Sequence, residues 1–128
     1  MYRKPLFCIV VLLLFSGSVY GETLSRFQAA MIEAEKGNPE AQNKVGTYYK
    51  IGIGTEQNDT EAASWYRKAA DQGYAEAQFN LGEMYEEGKG VAGNIETALS
   101  WYKKACDNGW KCGCRNYMIL TEGKGECN

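Results

Sequence analysis

The chain has 128 residues, of which 14 are basic, 16 acidic and none histidine, for a formal net charge of −2. A length of this order allows one small domain, and the missing histidine removes the most common general base and metal ligand from any mechanism. With no basic cluster longer than two residues, neither nucleic acid nor an anionic membrane surface is an expected partner.

Arg3 and Lys4 precede an apolar run over residues 6–15, followed by small and polar residues up to Gly21. Ten apolar residues are about half of the roughly 20 needed to cross a bilayer, and Val19 and Gly21 fit the small-residue rule at a signal-peptidase site. Residues 1–21 therefore read as a cleaved secretory leader, with an uncleaved anchor as the alternative, and residues 22–128 as the mature domain. Cys8 lies inside the run and would leave with it. Loss of Arg3 and Lys4 takes the basic residues to 12 against 16 acidic ones, a net charge of −4. Cys106, Cys112, Cys114 and Cys127 remain, and in a periplasmic or secreted protein disulfides are their expected state.

Residues 24–36 carry Phe27, Ala30, Met31 and Ala34 at helical spacing and stop at Gly37. Asn38-Pro39-Glu40 opens the next helix with a cap, a first-turn proline and a negative charge near the positive helix end; it runs to Ile51 and is ended by Gly52-Ile53-Gly54. Residues 58–61 form a capping box, with Asn58 accepting from the Glu61 amide and the Glu61 side chain reaching back. The helix that follows, to Gln72, has the stripe Ala62, Trp65, Tyr66 and Ala69 of one buried face. Helices over 75–87 and 95–108 repeat the plan, burying Ala77, Leu81, Met84 and Tyr85 in the first and Ala98, Trp101, Tyr102 and Ala105 in the second, which Asn94 caps.

Sliding residues 37–73 forward by 36 lays them on residues 73–109 with 17 of 37 positions identical. A fixed period of this length marks a repeat array, with units at 37–72 and 73–108 and partial units at both ends. Gly46 and Gly82 fall in helix interiors at a cost of about 1 kcal/mol each relative to alanine. The expected compensation is close approach of Trp65 or Trp101, with the alanine faces, to their backbones. The Trp-Tyr doublets read as core packing, a stacking site for a ligand being the alternative. The fold expected is all-α: an αα-hairpin solenoid of about six helices.

Ala-x-x-Trp-Tyr-[Arg/Lys]-Lys-Ala at 62–69 and 98–105, Ala-Gln-x-x-Leu-Gly-x-Met-Tyr at 77–85 and Gly-x-Gly at 88–90 resemble the Sel-one-like repeat, a relative of the tetratricopeptide repeat. The 36-residue period and the double-glycine loop separate it from the 34-residue tetratricopeptide unit. The resemblance implies a right-handed superhelix that acts as a protein-binding adaptor. Some exported bacterial members look like immunity proteins that neutralise secreted effector enzymes.

In the repeat register Cys106 replaces Ala70 and Cys114 replaces Gln78, one on each helix of a hairpin, and a Cys106–Cys114 disulfide fits that geometry. Cys112 and Cys114 point about 200° apart on a helix, so Cys112 needs another partner. Cys127 is the candidate, and four thiolates on zinc is the rival reading. The spacing across the hairpin is similar to that of the cysteine-rich branch of the family, whose members are associated with penicillin binding and weak β-lactamase activity.

Three functions follow. A monomeric protein-binding module would use exposed repeated positions, Ser64, Arg67 and Lys68 with Ser100, Lys103 and Lys104, though solvated cations on a helix face need no function. A hydrolase without histidine would pair Ser64 with Lys68 one helical turn on. A purely structural envelope protein is the third. No catalytic residue, metal site or cofactor is assigned.

Overall fold

The computed structural model describes residues 21–23 and 25–123, and every regular element among them is helical. Residues 25–35 form α1, with 21–23 helical as well. It is followed by α2 (Pro39–Ile51), α3 (Asp59–Asp71), α4 (Ala75–Glu87), α5 (Ile95–Asp107) and α6 (Lys111–Glu122). Residues 1–20, all but the last of the 21 expected to form a leader, and Cys127 lie outside the described residues.

Helix starts follow the caps read from the sequence. Asn38, Asn58 and Asn94 accept from the amides of Ala41, Glu61 and Thr97 at 3.1, 3.0 and 2.9 Å. The reciprocal half of the capping box is not made, because the Asn58 amide donates to the carbonyl of Tyr49 at 2.9 Å and that of Asn94 to Tyr85 at 2.9 Å. Each long loop is thereby tied back onto the helix it leaves. Gly52 and Gly88 end α2 and α4 at φ of 74° and 65°, a left-handed conformation that glycine adopts without the Cβ clash of other residues.

The core is built from small residues and a few large rings. Ala62, Ala69, Ala77, Ala98 and Ala105 are fully buried and let the helices approach, while Tyr66, Tyr102, Leu81, Met84 and Val45 fill the space between them. The predicted stripes on α3 and α5 are buried throughout. Tyr85 departs from its stripe: it is half-buried at the edge of the core, where its hydroxyl accepts from Arg67.

Close approach at the interior glycines is observed, with a different ring. A Cβ on Gly46 would stand 2.6 Å from Cδ1 of Tyr66, and one on Gly82 would stand 2.7 Å from Cδ1 of Tyr102. The tyrosine of each doublet, not the tryptophan, packs on the facing glycine. The physical reason is position along the helix: Tyr66 and Tyr102 point straight at the preceding helix, while Trp65 and Trp101, one residue earlier, turn toward the neighbouring unit.

Candidate functional site

The six candidate binding residues sit on α3 and α5, but the structure does not gather them into one pocket. Lys68 places Nζ 3.7 Å from the centroid of the Trp65 ring, and Lys104 places Nζ 4.2 Å from that of Trp101. Arg67 is wedged between units: its guanidinium carbon is 5.3 Å from the Trp101 ring and 5.7 Å from the Tyr85 ring, and it donates to the Tyr85 hydroxyl. Lys103 pairs with Asp107 at 2.9 Å. These contacts shield the indoles from water while each cation stays solvated at one side. Ser64 and Ser100 are exposed.

For a serine hydrolase the relevant geometry is Ser64 with Lys68. The ammonium of Lys68 is drawn onto Trp65, and among the described residues no hydrogen bond joins the Ser64 hydroxyl to it. A general base needs hydrogen-bond reach of the proton it removes.

A second face is formed by the even-numbered helices. Lys50 of α2 reaches Glu83 of α4 at 3.4 Å, and Asn80 donates to the buried Asn43 at 2.9 Å. Thr47 and the Tyr66 hydroxyl share a bond of 3.1 Å, and Tyr102 donates to Glu86. Burial pushes the Tyr66 and Tyr102 phenols above the usual tyrosine range, in Tyr102 with further help from the Glu86 carboxylate.

At the hairpin turns a polar ladder runs through the array. Gln42 donates to the carbonyl of Ala34 and Gln78 to that of Ala70, each at 3.1 Å. Their side-chain oxygens accept in turn from Gln72 at 2.7 Å and Asn108 at 2.9 Å. In the third hairpin the equivalent residues are Cys106 and Cys114, joined by a disulfide with Cα atoms 4.5 Å apart. The pairing read from the register is therefore present, and with these two sulfurs bonded to each other a four-thiolate zinc site is not available. Cys112 is exposed and has no sulfur partner among the described residues; its expected partner Cys127 lies outside them.

Sequence reasoning missed a groove of about 560 Å³ between α1 and α2, lined by Arg26, Ala30 and Glu33 on one side and Ala41, Lys44 and Tyr48 on the other. The signal was available. Arg26, Ala30 and Glu33 stand in register with Ala62, Tyr66 and Ala69, which are buried in the following unit, so this groove is the open counterpart of one that α2 fills between α3 and α4.

The Sel1 repeat family profile matches residues 39–74 and 75–110. Among solved structures, a Sel1 repeat protein from Oxalobacter formigenes is 35% identical at a TM-score of 0.74, covering 88% of this chain and 45% of its own. A protective antigen of uropathogenic Escherichia coli displaying an SLR fold is 32% identical at a TM-score of 0.74, with 80% and 22% covered. The cysteine-rich protein B of Helicobacter pylori is 27% identical at 0.67, with 69% and 66% covered. This chain thus spans less than half the length of the first two. No curated protein sequence matches it significantly.

Proposed function

The chain belongs to the Sel1 repeat family, and from that premise we propose that it is a protein–protein interaction module working outside the cytoplasm, where it inhibits a secreted effector enzyme. The observation that carries this reading is the disulfide between Cys106 and Cys114 inside a repeat hairpin, because such bonds persist in oxidising compartments. Among the described residues no helix is long and apolar enough to cross a membrane.

The division of labour among side chains supports a binding role. Arg67, Lys68 and Lys104 are engaged on core rings, while Ile32, Ile51, Ile95 and Ile119 stay 41–57% exposed. Apolar contacts rimmed by polar groups are the usual composition of a protein interface.

The test is purification of the exported chain with whatever accompanies it, followed by assay of the captured enzyme. The expected result is one dominant secreted enzyme whose activity falls to zero at equimolar chain. Capture of no enzyme would favour a structural envelope protein. The cysteine-rich likeness and the single hairpin disulfide motivate the hydrolase alternative; turnover of nitrocefin by the purified chain, lost on Ser64→Ala, would establish it in place of inhibition.

A further inference from the structure

The last helix keeps one face uncovered. On α6 the exposed residues Cys112, Arg115 and Ile119 recur at steps of three and four, which sets them in a line along one side of the helix. Their equivalents one unit earlier, Glu76, Phe79 and Glu83 of α4, are half-buried. Phe79 shows what covers such a face: its ring lies 5.6 Å from that of Tyr102 and 6.4 Å from that of Trp110, both supplied by the helix pair that follows. No helix pair follows α6 among the described residues, and Arg115 makes no ion pair among them.

The line ends at Gly123, where the chain leaves α6 at φ 65°, the left-handed conformation in which a chain turns out of a helix. The next four residues are Lys124, Gly125, Glu126 and Cys127. From Gly123 back to Cys112 the helix rises about 16.5 Å. An extended chain takes about 13–14 Å from Gly123 to Cys127, and a disulfide spans a further ~4.4–6.8 Å between Cα atoms. The distance therefore closes when the segment runs extended and antiparallel to the helix. That also fixes the register: at about 3.3 Å per residue against about 1.5 Å in the helix, Gly125 comes level with Ile119, and Glu126 with the turn that carries Arg115. A glycine lets the backbone pass close over the isoleucine, and the carboxylate meets the guanidinium. Cys114 does not compete for Cys127, because its sulfur is bonded to Cys106.

We propose that residues 124–127 lie back along the outer face of α6 and are clipped there by a disulfide between Cys112 and Cys127. The two thiols give up two protons and two electrons to a protein disulfide of the exporting compartment, which leaves as a dithiol, and one S–S bond forms. Closed, the clip covers on α6 what a following helix pair covers on α4. It takes Ile119 out of the apolar positions open to a partner and leaves Ile32, Ile51 and Ile95. It rests on the extracytoplasmic reading of the chain, since both sulfur bonds need an oxidising compartment.

The chain is expressed with its own leader, exported, alkylated on harvest and digested with trypsin without reduction. Peptides 105–111, 112–115 and 125–128 should run as one sulfur-linked species, and fragmentation between Cys112 and Cys114 should leave peptide 125–128 on Cys112. In Cys112→Ser chains peptide 125–128 should appear alkylated while Cys106 and Cys114 stay joined. Against a glutathione buffer, Glu126→Arg should lower the closing constant of the clip about threefold at low salt, the size of an exposed ion pair, and Arg115→Glu in the same chain should restore it. Amides of α6 should exchange more slowly in the closed chain than in Cys127→Ser. Cys127 found free, on glutathione, on Cys114 or on another chain overturns the proposal, as does a closing constant indifferent to both charges. The state of Cys106 and Cys114 separates the two premises. If they too are reduced, the extracytoplasmic reading fails with the clip; if they are joined while Cys112 and Cys127 are free, the clip alone fails.

Discussion

Replacing Gly82 by alanine sets two effects of opposite sign against each other. On helix propensity alone the change stabilises by about 1 kcal/mol. Against that, the new Cβ would stand 2.7 Å from both Cδ1 and Cε1 of Tyr102 and 3.3 Å from Cζ, well inside the roughly 3.5–4.0 Å optimum for carbon pairs. The ring cannot swing away: Tyr102 is 0% exposed, rests against Phe79 at 5.6 Å between centroids, and donates its hydroxyl to Glu86. Overpacking costs about 1–3 kcal/mol, and a ring held on three sides belongs in the upper part of that range. The net expectation is a loss of about 1–2 kcal/mol, or a fall in Tm of roughly 4–16 °C for a domain near 100 residues. Thermal and urea melts followed by helical circular dichroism measure it, on the single variants Gly82→Ala and Tyr102→Ala and on the double. With the ring removed, Gly82→Ala should become stabilising by about 1 kcal/mol. A Gly82→Ala chain that melts above the parent, or that loses the same amount in both backgrounds, refutes the reasoning.

Removing the disulfide by Cys106→Ala with Cys114→Ala should cost about 2.6 kcal/mol on the chain-entropy model for a nine-residue loop. Changing Cys114 instead to glutamine should return about 1 kcal/mol through the side-chain amide to carbonyl bond of the other hairpins, as read by urea midpoints. Arg67→Met, which copies Met31 one unit earlier, should lose about 1–2 kcal/mol with the bond to Tyr85 and the contact on Trp101; Tyr85→Phe should then cost less than it does in the parent. Alkaline pH should destabilise the fold. Tyr66 and Tyr102 titrate above the usual 10.0 when folded, so their contribution is fully present below pH 10 and is lost as pH rises past it, the unfolded chain ionising first. Phenolate absorbance during a pH titration checks this, and Tyr102→Phe should flatten the decline.

The helices and their order were legible because every signal in the repeat is local: asparagine caps, terminal glycines, and an alanine–aromatic stripe that returns after 36 residues. Which aromatic meets Gly46 was not legible, since Trp65 and Tyr66 are adjacent and both bulky; a 100° step around the helix decides it, and that depends on where the facing helix lies. The fate of Arg67 and Lys68 was hidden for a related reason. A repeated basic residue on an exposed face reads as a binding surface, yet Trp101 comes from the next unit, and only the stacking of units shows that Arg67 is wedged against it. The α1–α2 groove required comparing the terminal positions 26, 30 and 33 with their buried equivalents rather than with each other.

The disulfide also ends something. In the first two hairpins the glutamine that closes the turn has a second role, because its oxygen accepts from Gln72 or Asn108 of the following helix pair. Half-cystines at 106 and 114 close the third turn more firmly but offer only weak acceptors, so the ladder cannot be passed on from this unit.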